Sequence, residues 1–153
     1  MKKLLVFATL IALAAPALAQ DAMTVTRLKP GELQWKDNPS LPKGAKTTIL
    51  QGDPTKAEMF VVRIKVPPNY QFPAHTHPVA HNVTVISGSI FVGEGDKLDT
   101  QKGKQMKAGS YIFMPAKHAH FAWTTNEGAV IQDQNVGPGG IDYVNPADDP
   151  RKK

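Results

Sequence analysis

Cysteine is absent from the 153 residues. The chain therefore holds no disulfide, and thiolate zinc sites and iron–sulfur clusters are excluded. Aromatic residues make up only 7% of the sequence and histidine occurs five times, so few side chains are available for stacking or for metal binding. No window sustains a 3.6-residue apolar repeat beyond a turn or two, which argues against packed helices. A single long apolar run exists, from Leu4 to Ala15. Lys2 and Lys3 precede it and the small residues Ala17 and Ala19 follow, so residues 1–19 read as a secretory signal peptide cut before Gln20. The run is too short to span a bilayer comfortably. Residues 20–153 are expected to form one domain in the periplasm or outside the cell, with 137–153 as a C-terminal tail and no membrane association once the signal is gone. With no twin-arginine pair, export unfolded and metal loading afterwards are expected.

A strong excess of one charge is missing too. The formal charge of +5 falls to +3 without Lys2 and Lys3, and the remaining lysines are interspersed with acidic residues. That pattern gives no support for nucleic-acid binding.

What the chain does have is short apolar runs punctuated by glycine and proline. Candidate strands are 24–28, 47–51, 59–66, 82–87, 89–93, 110–114, 120–125 and 129–136. Alternation is clear where Val62, Ile64 and Val66 are separated by Arg63 and Lys65, as on a half-buried strand. Ser87-Gly88-Ser89 reads as a tight hairpin between two of these runs. Eight short strands so punctuated predict an all-β sandwich or jelly roll. Phe72, Phe113, Phe121 and Trp123 are expected in its hydrophobic wall.

All five histidines lie in two groups, His75, His77 and His81 in one and His118 and His120 in the other. On an extended segment His75 and His77 point the same way and can share one ion. Pro78 breaks regular pairing, so the chain can bend to return His81 toward them. In the run from His120, alternation puts His120, Ala122 and Thr124 on one face, the interior of the barrel. His118 sits in the turn after Pro115 and reads as a loop or rim histidine. Asn82, Gln132 and Gln134 are either hydrogen-bond partners of the site or solvent-facing strand positions.

These residues resemble the two motifs of the cupin superfamily. The first, G-x5-H-x-H-x3,4-E-x6-G, is matched by His75, His77 and Gly88, with Asn69 at the first glycine and His81 in place of the glutamate. The second, G-x5-P-x-G-x2-H-x3-N, is matched by Gly109, Pro115 and His120, with Lys117 for its glycine and Thr124 for its asparagine. The resemblance implies a small, exported, single-domain cupin with a jelly-roll β-sandwich or barrel. It also implies a divalent transition metal, whether iron, zinc, copper, nickel or manganese, bound by His75, His77, His81 and His120. A homodimer through edge strands is a further implication.

The change from glutamate to histidine matters electrostatically. Three imidazoles and a carboxylate leave a divalent ion near +1, whereas four neutral imidazoles leave +2, which attracts anions. If His81 stands off, a three-histidine site with more open positions results. The expected function is that of a metal-dependent enzyme, oxygenase-like, whose small anionic or enolisable substrate binds the metal directly. A non-redox isomerase or hydrolase, or a non-catalytic periplasmic binding protein, fits the same residues.

Overall fold

Segments 59–66, where Val62, Ile64 and Val66 alternate with Arg63 and Lys65, and 129–136, an apolar-rich run bounded by Gly128 and Gly137, are both expected strands. In a computed structural model, which describes residues 24–153, these segments pair antiparallel along their whole length. Ten strands occur among the described residues: β1 (Lys36–Asp37), β2 (Lys46–Gln51), β3 (Met59–Val66), β4 (Gln71–Thr76), β5 (His81–Glu94), β6 (Gly103–Lys107), β7 (Tyr111–Met114), β8 (His120–Trp123), β9 (Ala129–Val136) and β10 (Asp142–Tyr143). The only helical pieces there are three 3-10 turns of three residues each, so none is long enough to cross a membrane. The expected signal segment 1–19 lies outside the described residues.

Two antiparallel sheets share one strand. The first runs β1-β2-β3-β9-β5-β7 and the second β10-β4-β8-β5-β6. Strand β5 serves both because it changes partners along its length. Residues 81–84 pair with β7, 82–88 with β9, 89–93 with β6 and 91–94 with β8. This is the jelly-roll architecture that the sequence predicts.

The crossover corrects one expectation. The hairpin expected at Ser87-Gly88-Ser89 is instead a bulge within a continuous strand, marked by a register shift between Val85 and Ser87. Gly88 has φ 70°, which bends the strand without reversing it. A Cβ here would overlap the carbonyl oxygen of Gly128, the residue just before β9. A second correction concerns 24–28, which forms no strand; Val25 is 75% exposed, so this stretch has no neighbour against which to bury an apolar face.

The main core lies between the sheets and includes Val66, Tyr70, Phe72, Val83, Val85, Ile90 and Ile131. Burying each such side chain fully stabilises the fold by about 1.5–3 kcal/mol. A smaller core forms behind the second sheet, where Phe121 and Trp123 pack with Ala74, Phe91 and Leu98. Strand β8 is consequently buried on both faces. Phe113 departs from the expected wall: it is 56% exposed, because its strand neighbours Ile112 and Met114 take the inward parity.

The C-terminal segment is integral to this packing. Strand β10 pairs with β4, placing Tyr143 opposite His75, and both Ile141 and Tyr143 are buried. The Tyr143 hydroxyl donates to the Ser40 carbonyl at 2.9 Å. Arg151 grips the Asp149 carboxylate through Nε and a terminal nitrogen and donates to the Ile141 carbonyl at 3.0 Å.

Candidate metal centre

Strand pairing assembles the histidines. His75 on β4 and His120 on β8 are direct cross-strand partners, so alternation carries both rings to the inner face. Their centroids are 4.3 Å apart. His77 follows the end of β4, and its ring centre is 4.9 Å from His75 and 5.1 Å from His120. One ring nitrogen from each of these three residues lies within 4.8 Å of the others, a grouping able to hold a metal ion.

The hydrogen bonds decide which nitrogens are free. His75 Nδ1 lies 2.7 Å from the Pro73 carbonyl, His77 Nδ1 2.6 Å from the Gly140 carbonyl, and His120 Nδ1 3.0 Å from the His118 carbonyl. A carbonyl oxygen can only accept, so each Nδ1 carries the proton and each Nε2 keeps its lone pair. That is the tautomer and orientation a metal-binding imidazole needs.

Electrostatics reinforce this preparation. Burial, followed by the nearby His120 and His77 rings, holds the His75 imidazole well below its ordinary pKa. Burial and the adjacent His81 pull His77 down to about 3, and burial lowers His120 as well. Desolvation disfavours the imidazolium in each case and keeps the lone pairs available.

His81 opens β5, and its ring stacks on His77 with centroids 3.7 Å apart. Nδ1 is 2.8 Å from Asp133 Oδ2, and the pair is buried. Its Nε2 is buried without a hydrogen-bond partner. His81 thus lines the same cavity as the three clustered histidines, but the group of nitrogens within 4.8 Å of one another comprises His75, His77 and His120 without it. His118 sits at the rim, 3.1 Å from Glu94 Oε2 and partly exposed, as its loop position predicts.

The cavity measures about 80 Å³ and is lined by the four imidazoles and Asp133. Its remaining walls are apolar and include Leu41, Ile64, Phe72, Ile90 and Ile131. A groove of about 500 Å³ between β6 and β7 shares Val92, Ile112, Met114 and His120 with it.

The departures from the motif glycines are accommodated in the backbone. Asn69 and Lys117 adopt φ 54° and 64°, the left-handed conformation that Gly88 and Gly109 also take. At Lys117 this turn directs the backbone N–H to the His77 carbonyl at 2.8 Å, tying the second motif to the first. Thr124, in the motif's asparagine position, accepts from the Tyr70 N–H at 3.0 Å and donates to the Pro67 carbonyl at 2.6 Å.

Sequence reasoning missed Asp133 and Gly140. Asp133 had a readable signal, since it shares the inward parity of Ile131 and Asn135 on β9. Gln132 and Gln134 occupy the opposite face with Asn82: Gln132 accepts from Arg63, and Asn82 donates to the Gln134 carbonyl and accepts from Tyr111. They are the solvent-facing alternative. Gly140 contributes only a backbone carbonyl, which no residue type announces.

Known proteins with solved structures share this architecture. The polyketide cyclase RemF from Streptomyces resistomycificus superimposes with a TM-score of 0.66 at 20% identity, over 84% of this chain and 92% of that one. KdgF from a Halomonas species gives 0.56 at 15% identity, covering 81% and 98%. The DMSP lyase DddQ from Ruegeria pomeroyi DSS-3 gives 0.56 at 15% identity, covering 70% and 57%. No protein among the curated sequences matches. The family model described as the ChrR cupin-like domain matches residues 23–135, and with the jelly roll and its histidine cluster in place, the chain belongs to that family of cupins.

Proposed function

We propose that the protein is a metal-dependent enzyme in which His75, His77 and His120 hold a divalent transition metal, His81 completes the shell, and a small anionic or enolisable substrate binds the ion directly. The observation that carries this reading is the set of three Nδ1–H to carbonyl bonds, which leave three Nε2 lone pairs on histidines that line one largely apolar cavity. The orphaned Nε2 of His81 fits a fourth donor. Such an ion, when bound, supplies Lewis acidity and, if redox-active, a route for electrons.

The chain's own residues do the rest. Ile64, Phe72, Ile90 and Ile131 exclude water from the reacting centre and pack against the apolar part of the substrate. The groove between β6 and β7 offers an approach that ends at His120. A cavity of about 80 Å³ restricts the buried portion of the substrate to a few heavy atoms, with any larger body left in the groove. An apolar pocket around a redox-active ion supports oxygenase-like chemistry, and an imidazole shell suits iron, zinc, copper and nickel alike.

A second reading, isomerisation or hydrolysis without redox change, draws support from the His81–Asp133 pair. A buried imidazole oriented by a carboxylate can take and return a proton at Nε2. Folds like this one occur in the polyketide cyclase and the DMSP lyase, so both readings have a scaffold able to host catalysis. The proposal also includes export to the periplasm or beyond and a homodimer through the sheet edges.

Elemental analysis of the protein isolated from its native compartment tests metal occupancy directly. Dioxygen uptake with enolisable dicarbonyls and flavonols, after reconstitution with iron, zinc, copper, nickel or manganese in turn, separates the readings. Uptake with one metal supports the oxygenase. Turnover without uptake supports the non-redox enzyme, and no turnover with any metal leaves a binding protein. His81→Ala is expected to weaken metal retention about tenfold or more.

A further inference from the structure

In a histidine-only shell the ion's charge lacks the carboxylate that the first cupin motif supplies. The structure contains a carboxylate one step back. Asp133 Oδ2 lies 2.8 Å from His81 Nδ1, and the Asp133 side chain is only 8% exposed. Its other oxygen accepts from Asn135 Nδ2 at 2.6 Å. Asn135 is oriented in turn, because its Oδ1 accepts the backbone N–H of Asn82 at 2.9 Å. Both oxygens of Asp133 are therefore acceptors facing fixed donors, and the chain of bonds ends at His81 Nε2, which is buried and unpartnered. Strands β5 and β9 bring this about, since Val83 and Asp133 are register partners.

We propose that Asp133 is a positioning residue that takes over, through His81, the charge role of the missing motif glutamate. It holds His81 with Nε2 toward the ion and returns the net charge of ion plus surroundings from +2 to near +1, with the negative charge displaced from the first motif to β9. A carboxylate hydrogen-bonded behind an imidazole also raises that imidazole's strength as a ligand. The inference rests on the metal-binding reading above and identifies the residue on which the fourth donor depends.

The test is a double-mutant cycle on the full chain. Zinc and cobalt affinities are measured by chelator competition for the wild type, Asp133→Asn, His81→Glu and the combined variant, alongside the visible absorption of the cobalt-loaded proteins. Asp133→Asn is expected to weaken affinity about 10–100-fold in the wild-type background and to alter the cobalt spectrum. In the His81→Glu background, where a carboxylate already sits in the motif position, the same change is expected to be neutral or to strengthen binding. Equal losses in both backgrounds, or no loss in either, overturn the proposal. Should Asp133→Asn fail to fold, Asn135→Ala enters the same cycle, with a smaller effect of the same sign expected and the same outcomes overturning it. His75→Ala separates the two levels of argument. If it binds as well as wild type, the metal reading fails; if it loses the metal while Asp133→Asn keeps it, only the role of Asp133 fails.

Discussion

The Nδ1–H of His77 donates to the carbonyl oxygen of Gly140, 63 residues later in the chain, at 2.6 Å. The C-terminal segment thereby sets the orientation of a candidate ligand, and Arg151 secures that segment through the Ile141 carbonyl and Asp149. Arg151→Ala should cost about 1 kcal/mol of stability from the lost hydrogen bonds and weaken metal binding severalfold. Urea unfolding and chelator competition measure the two effects, and unchanged metal affinity would separate the clamp from the site.

Replacing His75 or His120 by alanine should reduce metal affinity by more than the roughly 10–100-fold typical of an outer partner, because a donor is removed outright. His118→Ala should leave affinity within about twofold, since its ring faces Glu94 at the rim. Metal content after dialysis distinguishes these outcomes, and retention by His75→Ala would count against the three-nitrogen grouping.

Acid should destabilise the metal-free protein in a defined window. His77 is held down to about 3 by burial, then by His81, and burial also lowers His75 and His120. Below the unfolded imidazole value of about 6.5, the unfolded chain takes up protons that the folded chain excludes, so stability falls as pH drops. For His77 the loss continues to about pH 3. Between pH 6.5 and 5 most carboxylates stay ionised, so imidazoles dominate the slope. Urea midpoints should be level from pH 8 to 7 and decline from pH 6.5 to 5, and a level midpoint across the lower interval would contradict the burial argument.

Lys117 holds φ 64°, a conformation that costs an ordinary side chain about 1 kcal/mol or more. Lys117→Gly should be neutral to stabilising by up to about 1 kcal/mol, the relief being partly offset by a more flexible unfolded chain. Lys117→Val should destabilise by more than 1 kcal/mol, because branching at Cβ tolerates this backbone poorly. Thermal melts of the pair measure the difference, and similar midpoints would deny the strain.

Gly93 backs onto Phe121, which is 1% exposed, and a Cβ there would collide with the ring. Gly93→Ala should therefore cost about 1–3 kcal/mol through overpacking, read by urea unfolding. A cost near zero would mean that the small core behind β8 can yield.

Strand 129–136 was legible as an apolar-rich run bounded by Gly128 and Gly137, and strand 59–66 because Val62, Ile64 and Val66 alternate with charged residues, as side-chain period requires of a half-buried strand. The histidine spacing was legible for the same reason. Strand β6 was not: Gly103-Lys104-Gln105-Met106-Lys107 has a single apolar inward residue and gains its place from pairing with β5. Strand β4 was obscured by Pro73, around which its pairing with β8 shifts register. The bend at Gly88 read as a reversal, since glycine between serines signals a turn without stating its angle. Asp133 was one residue from two candidates that were noticed, and only sheet parity separates them.

Three of the four inward rings are aimed by carbonyl groups, at Pro73, Gly140 and His118, and only His81 is aimed by a side chain. Substitution at the three carbonyl positions leaves their oxygens in place, so drift in the sequence has little purchase on those imidazoles. Variation among relatives should concentrate its chemical effect at the β5–β9 corner, where two side chains can retune reactivity without rebuilding the scaffold.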